Sequence, residues 1–170
     1  MPAPEQPHQA SLRKGRYSQP FGLYHITKCV RRGSKLGGSQ QDAIVEALRH
    51  MVRTDNLHLQ AFIIMPDHVH LLIALGLRLD LSHTISEWCR RATNESKAGG
   101  AAIKWQKGFH DHKVREGESV VDIVNYIERN PVRKELCSEP SAWEWSSANP
   151  AHQSLLDRPF LGQCRWEPRA

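Results

Sequence analysis

Apolar residues recur at two different spacings along the chain, and this pattern predicts alternating strands and helices. Broken alternation over residues 23–30 and a nearly continuous apolar run over residues 57–65 predict two strands. Residues 68–74 predict a third strand, and the turn at Pro66-Asp67 makes a hairpin of the second and third strands. Residues 104–114 suit either a short strand or an ordered loop.

Three other segments show the spacing of about 3.6 residues that is typical of amphipathic helices. They cover residues 40–53, 81–97 and 120–130. Ser39 and Ser119 precede the first and third segments, where a serine hydroxyl can accept a hydrogen bond from a free N–H group. Both serines are therefore predicted to cap a helix.

The third helix is predicted to end at Asn130, because Pro131 disfavours a helical conformation at the residue before it. The order of the first six elements fits an α+β fold of the ferredoxin-like type, in which an antiparallel sheet has helices packed on one face. The predicted organisation is a flexible basic arm over residues 1–20, one domain over residues 21–150 and an irregular tail over residues 151–170.

Charge is unevenly distributed, and this favours a polyanionic partner. The net charge is +5, and residues 1–53 carry nine Lys/Arg against three Asp/Glu, so this third of the chain supplies the whole excess. A basic arm of this kind attracts nucleic acid. A modest positive charge is nevertheless common in proteins that bind no DNA.

No apolar run approaches the length of about 20 residues that a membrane helix needs. The four cysteines form no CxxC pair and no zinc-finger spacing. We therefore expect a cytoplasmic protein with reduced thiols and no structural zinc.

His68-Val69-His70 forms the first candidate site. Alternate side chains of a strand share a face, so the two imidazoles point the same way while Val69, Leu71 and Ile73 point into the core. Two adjacent imidazoles can coordinate one divalent ion. The alternative is a pair of polar residues on a solvated sheet face, and the motif alone does not decide between them.

Tyr126 and Asn130 form the second candidate site. Positions i and i+4 share a helix face, so these two side chains are expected to project together. A tyrosine hydroxyl can act as a nucleophile, and the asparagine amide offers a neutral oxygen ligand for a metal. The alternative is a half-buried tyrosine that packs the helix onto the sheet.

Five sequence blocks, taken together, resemble a known family. FIIMPDHVHLL at residues 62–72 resembles the histidine motif of the HUH single-tyrosine transposases, where U is a bulky apolar residue. Four further blocks resemble those of the REP-associated tyrosine transposases. They are GRYS at 15–18, WQKGFHDH at 105–112, YIERNPVR at 126–133 and WSSA at 145–148. The resemblance covers about residues 15–148, with the blocks in the same order.

This resemblance implies a bacterial enzyme that cuts and rejoins single-stranded DNA at hairpins formed by repetitive extragenic palindromes (REPs). In the family, two histidines bind Mg²⁺ or Mn²⁺ and a tyrosine attacks a DNA phosphate, leaving a 5′-phosphotyrosine link and a free 3′-OH. By motif, Tyr126 becomes the nucleophile, His68 and His70 become metal ligands, and Asn130 becomes the third ligand. The family also implies association with the nucleoid, and a monomer is favoured over a dimer.

Four basic residues are the predicted DNA contacts. Arg13, Lys14 and Arg16 lie in the N-terminal arm, and Arg133 follows the tyrosine motif. The arm is expected to lie along a hairpin stem or to contact its guiding bases. A solvated basic arm with no fixed partner is the alternative.

Two positions depart from the pattern that the resemblance implies. Asp67 stands where the family often has asparagine, and it is either a turn residue or a source of negative charge near the metal. His112 stands where an arginine is common, which puts a phosphate contact at this position in doubt.

Two other functions stay open, as does the role of the tail. One is a domesticated transposase that binds a DNA hairpin without cutting it, and the other is a metal-dependent phosphodiesterase that uses water. The tail carries Arg158, Arg165 and Arg169, and it is a candidate to fold over the site as an autoinhibitory segment.

Overall fold

Four antiparallel strands form one sheet in the spatial order β2-β3-β1-β4. The strands are β1 (Leu23–Cys29), β2 (Leu57–Ile64), β3 (His68–Leu75) and β4 (His110–Lys113). The computed structural model describes residues 18–158. Strands β2 and β3 pair as the predicted hairpin. This pairing and the strand order confirm the predicted ferredoxin-like fold.

Four helices lie between or after these strands along the chain. They are α1 (Gly38–Arg53), α2 (Leu81–Ala98), α3 (Val120–Glu128) and α4 (Asn130–Arg133). Two short 3₁₀ helices, Pro140–Ala142 and Pro150–Leu155, complete the fold. Within residues 18–158, no helix has both the length and the apolar character required to cross a bilayer.

One face of the sheet carries the larger core, which α1 and α2 cover. Val69, Leu71 and Ile73 point into this core as predicted, and all three are fully buried. Trp88 of α2 is also fully buried there. Each such aliphatic side chain stabilises the fold by about 1.5–3 kcal/mol.

The opposite face carries a smaller core, which α3 covers. Val124 and Ile127 of α3 pack with Ala61, Ile63 and Leu72 of the β2–β3 hairpin. The prediction of helices on one face is therefore confirmed for α1 and α2. The third helix, which the ferredoxin-like plan does not contain, lies on the other face.

The structure corrects one predicted helix cap and confirms another. Helix α1 is preceded by Gly37, whose N–H donates to the side-chain oxygen of Gln40 at 3.0 Å, so Ser39 is not the cap. A glutamine at the third helical position can reach back and accept from the N–H of the capping residue, as it does here. Ser119 caps α3 as predicted and accepts from the N–H of Asp122 at 3.1 Å.

The predicted end of α3 at Asn130 is wrong by two residues. Helix α3 ends at Glu128, and Asn130 starts the separate one-turn helix α4 with Pro131 in its first turn. A proline is tolerated there, because the first N–H groups of a helix have no acceptor within the helix. Asn130 therefore does not share a helix with Tyr126.

The packed body extends beyond the predicted limits of residues 21–150. The Ser18 hydroxyl accepts from the N–H of Leu81 at 3.1 Å, and Leu155 is buried in the larger core. Residues 18–20 and 151–158 thus belong to the domain rather than to an arm or an irregular tail. The predicted DNA contacts Arg13, Lys14 and Arg16 lie outside the described residues.

The chain from Trp145 to Arg158 runs along the free edge of β2. The N–H of Ile64 donates to the carbonyl of Trp145 at 2.9 Å, and the N–H of Asp157 donates to the carbonyl of Leu59 at 2.7 Å. An isolated bridge joins Ile63 to Ser146. This edge segment satisfies backbone groups that an edge strand otherwise leaves open to other chains.

Glu128 ties the end of α3 to this edge segment. Its carboxylate accepts from the Ser147 hydroxyl at 2.7 Å and from the guanidinium of Arg158, which also donates to the carbonyl of Gln60 at 2.5 Å. Arg158 therefore holds α3 in place instead of folding over the site. Arg165 and Arg169 lie outside the described residues.

We expect Arg158→Ala to lower the free energy of unfolding by about 1–3 kcal/mol, because it leaves a largely buried carboxylate without its cation. The two side chains are only 17% and 15% exposed. Arg90→Ala is the matched control, since Arg90 pairs with Glu87 on the exposed side of α2 and such pairs contribute below about 1 kcal/mol. Urea unfolding measures both, and equal losses in the two variants would contradict the assigned role of Arg158.

Candidate active site

On the sheet face that α3 covers, the three neighbouring strands β3, β1 and β4 carry five histidines. His70 of β3 lies opposite Thr27 of β1, which in turn lies opposite His110 of β4. Residues directly opposite one another in an antiparallel sheet share a face, so this register aligns the imidazoles across the strands. The five residues are His25, His68, His70, His110 and His112.

His70 lies at the centre of this group and is only 7% exposed. Its Nδ1 atom lies 3.0 Å from the Thr27 hydroxyl oxygen and 3.2 Å from Nε2 of His25. Burial, reinforced by the nearby imidazoles of His68 and His25, lowers the pKa of His70 to about 3. The ring is therefore neutral near pH 7, which is the form that binds metals.

His68 lies beside His70 with its ring nearly perpendicular, and the two ring centroids are 4.9 Å apart. Its Nδ1 atom lies 2.6 Å from a carboxylate oxygen of Asp67. A carboxylate at Nδ1 fixes the orientation of the ring and leaves Nε2 available. The carboxylate of Asp67 thus acts directly on His68, and Asp67 is more than a turn residue.

The histidine pair suits a divalent ion only in part. Imidazole nitrogens are donors that transition ions prefer, whereas Mg²⁺ prefers oxygen ligands and retains water. Within residues 18–158, no group of three or more His, Cys, Asp and Glu side chains could hold a metal ion. His68 and His70 can supply two ligands, and a third has to come from another residue type or from water.

Asn130, the predicted third ligand, is only 6% exposed and begins α4 rather than continuing α3. Only Arg129 separates α3 from α4, and the expectation that the side chains of Asn130 and Tyr126 project together stays a prediction. The role of Asn130 as a metal ligand stays a prediction as well.

Tyr126 projects from α3 towards the histidines. Its ring centroid lies 5.9 Å from that of His70 and 6.1 Å from that of His25. The side chain is 44% exposed, whereas Val124 and Ile127 make the buried contacts of the helix. Packing alone therefore does not explain why a tyrosine occupies position 126. A ligand on this face of the sheet can reach its exposed side chain.

Arg133 of α4 places its guanidinium over the Tyr126 ring, with Cζ 4.8 Å from the ring centroid. A cation at this distance is attracted to the face of the ring. The predicted DNA contact Arg133 thus lies next to the candidate nucleophile. Its contact with DNA stays a prediction.

His25 is the site residue that sequence reasoning missed. It contacts both His70 and Tyr126, and burial together with the nearby His112 lowers its pKa. His112 itself lies 2.9 Å from a carboxylate oxygen of Glu118. The alternation of side chains along β1 could have identified it, because this alternation places His25 and Thr27 on one face of the sheet.

Trp105 and Phe109, which belong to the WQKGFHDH block, pack against the larger core. Phe109 is buried, and the indole N–H of Trp105 donates to the Thr93 hydroxyl at 3.1 Å. The undecided segment before and within β4 is thus an ordered loop followed by a short strand.

We expect the buried imidazole of His70 to make the fold less stable in acid. The unfolded chain takes up a proton at His70 near pH 6.5, whereas the folded chain does so only near pH 3. Between these values the unfolded state binds more protons, so stability falls as the pH is lowered, by at most about 1.4 kcal/mol per unit from this group.

Urea unfolding without divalent metal at about pH 7 and about pH 5 tests this, and His70→Gln should reduce the loss by about 1–2 kcal/mol. The same pH dependence in His70→Gln as in the wild type would contradict the effect.

Comparison with known proteins identifies relatives of this chain. A REP-associated tyrosine transposase of Escherichia coli is 26% identical over 133 residues, which is 78% of this chain and 79% of that protein. A Haemophilus influenzae protein is 25% identical, but the match spans only 51% of this chain and 56% of that protein. A solved structure of a REP-associated tyrosine transposase bound to a REP hairpin superimposes with a TM-score of 0.66 at 24% identity, covering 89% of this chain and 92% of the other.

The family model described as "Transposase IS200 like" matches residues 22–130. This range contains all four strands, the five histidines and Tyr126. The similarity of the solved structure shows that the fold is shared, and the E. coli relative confirms the resemblance seen in the sequence blocks. The chain therefore belongs to the IS200-like transposase family.

Proposed function

We propose that this protein is a metal-dependent enzyme that cuts and rejoins single-stranded DNA at REP-type hairpins through a tyrosine–DNA intermediate. The observation that carries the proposal is the placement of the exposed Tyr126 ring 5.9 Å from the ring of His70, beside His68. A nucleophile next to two imidazoles that can hold a metal ion suits the transfer of a phosphoryl group.

The proposed metal ligands are His68, His70 and Asn130. A bound Mg²⁺ or Mn²⁺ supplies positive charge that offsets the negative charge that develops on the phosphate. Asp67 orients His68, while Thr27 and His25 hold Nδ1 of His70. These partners fix both rings before any substrate arrives, so little reorganisation is needed during the reaction.

The reaction exchanges one phosphate ester for another. The Tyr126 oxygen forms a bond to phosphorus as the phenol loses its proton, and the bond from phosphorus to the 3′ oxygen breaks. The 3′ oxygen takes up a proton, which leaves a free 3′-OH and a 5′-phosphotyrosine. Attack by a 3′-OH reverses these steps and rejoins a strand. Because the covalent link retains the ester, joining needs no other energy source.

Several observations support a DNA hairpin as partner. The related solved structure contains a protein bound to a REP hairpin. In this chain, Arg133 lies beside Tyr126, and Arg13, Lys14 and Arg16 belong to the basic N-terminal third. Positive side chains neutralise DNA phosphates, so these four are the proposed DNA contacts. Tyr126 and both histidines come from the same chain, which supports a monomer as the working unit.

Tyr126→Phe should abolish a covalent protein–DNA adduct, because it removes the attacking oxygen and keeps the ring. The measurement is a denaturing gel of labelled REP-type hairpin DNA incubated with protein and Mn²⁺ or Mg²⁺. Tyr24→Phe is the matched control, since that hydroxyl is buried and accepts from the N–H of Gln19. The control should form as much adduct as the wild type.

Each other outcome identifies a different function. Cleavage that persists in Tyr126→Phe without an adduct would indicate a phosphodiesterase that uses water. Binding of several hairpins without cleavage by the wild type would indicate a domesticated binding protein. Loss of the adduct in both tyrosine variants would leave Tyr126 without a specific role.

Asp67→Ala should weaken Mn²⁺ binding by about 10–100-fold, because it removes the group that orients His68. Asp67→Asn should bind Mn²⁺ within a few-fold of the wild type, since the amide oxygen still accepts from Nδ1–H. Titration calorimetry or the paramagnetic resonance of free Mn²⁺ measures the affinity without any reaction. Wild-type affinity in Asp67→Ala would contradict the proposed role.

A further inference from the structure

A cleft of about 300 Å³ opens where the β1–α1 loop meets the segment before Trp105. Its apolar lining includes Val30 and Leu36, both buried, and its rim includes Lys35 and Lys104. This volume lies at the lower end of the range of about 300–1,000 Å³ in which proteins hold small organic groups. One nucleotide is a group of suitable size.

Hydrogen bonds hold the two walls of the cleft together. The side-chain amide of Gln40 donates to the carbonyls of Ala101 and Ala102 at 3.4 and 3.3 Å. On the other side, the N–H of Arg31 donates to the carbonyl of Lys104 at 2.7 Å. These hydrogen bonds fix the shape of the cleft, so it is not a gap between two independent loops.

Both walls carry only positive charge. The chain contains no Asp or Glu between Glu5 and Asp42, and none between Glu95 and Asp111. Within residues 18–158, neither Lys35 nor Lys104 takes part in an ion pair. Exposed, unpaired lysines on the rim of an apolar cleft suit a ligand that has an apolar face and an anionic group.

Two backbone hydrogen bonds connect the lining of the cleft to the turn before His68. The N–H of Leu36 donates to the carbonyl of Pro66 at 2.7 Å, and the N–H of Val30 donates to the carbonyl of Asp67 at 3.0 Å. Both carbonyls belong to the turn that leads directly into His68. The cleft therefore lies beside the turn that leads into the candidate active site, close to where DNA flanking a phosphate at the histidines would leave the site.

We propose that this cleft binds one nucleotide of the single-stranded DNA that flanks the cleaved phosphate. The base lies on the apolar lining of Val30 and Leu36, and the adjoining phosphates contact Lys35 and Lys104. This inference rests on the proposed function and adds to it a binding site for the strand outside the hairpin stem.

The test compares two labelled DNAs, a hairpin with single-stranded extensions and the same hairpin without them. Fluorescence anisotropy is measured in EDTA, so that no cleavage interferes. Lys35→Ala/Lys104→Ala should weaken binding of the extended hairpin about tenfold or more, and should reduce its salt dependence by about 0.7 per lost phosphate contact. Binding of the hairpin without extensions should stay within about twofold of the wild type.

The matched control is Arg53→Ala/Arg78→Ala, which removes the same charge from exposed positions at the opposite end of the sheet. It should leave the preference for the extended hairpin unchanged. An equal loss on both DNAs in the lysine variant would assign these residues to the stem or to general attraction and overturn the proposal. No loss on either DNA would overturn it as well.

A second variant, Ala102→Leu, fills the cleft without changing charge. It should weaken binding of the extended hairpin while its salt dependence stays that of the wild type, and unchanged affinity would exclude the cleft as the place of the base. Because these measurements require no chemistry, their failure is distinct from an absent Tyr126 adduct, which would remove the proposed function itself.

Discussion

The pairing of β1 with β3 determines the position of the candidate catalytic groups on the sheet. Its register sets His70 opposite Thr27 and leaves His25 next along the same face. A slip of one residue would turn the histidines into the larger core and expose Val69 and Leu71 on the other face. The fully buried side chains of that core therefore enforce the geometry of a site that they do not touch.

The two halves of the site are attached to the fold in different ways. His68 and His70 lie on a central strand that has neighbours on both sides, so their positions are rigid. Tyr126 lies on a helix of nine residues, which the smaller core and the carboxylate of Glu128 hold against the sheet. The distance from the candidate nucleophile to the histidines thus depends on contacts that the end of α3 makes at the edge of β2.

The sequence correctly predicted side-chain positions where the alternation of apolar and polar residues was strict. It was less informative about sites that form where distant segments of the chain meet. Alternation around Val69 correctly placed both histidines on one face, and Ser119 correctly marked the start of α3. Asn130 was assigned to the wrong helix, because Pro131 starts a new turn here rather than ending the old one.

His25 and the cleft beside Lys35 were not predicted, because both depend on contacts between segments more than 40 residues apart. The packing of Leu155 and the bonds of Arg158 to β2 and α3 depend on similar contacts. The period of a single element contains no information on such contacts, so only the folded structure reveals them.

The composition of the site favours a nucleophile from the protein over one from water. A hydrolytic phosphodiesterase depends on metals that bind and activate water, and clusters of carboxylates usually hold those metals. In the described part of the chain, the donors nearest Tyr126 are imidazoles, and Asp67 contacts one of them rather than completing a cluster. Under the proposed function, such a site would stabilise charge on a phosphate while holding its ion weakly. The Tyr126 ring, whose centroid lies 5.9 Å from that of His70, would then supply the attacking oxygen in place of an activated water.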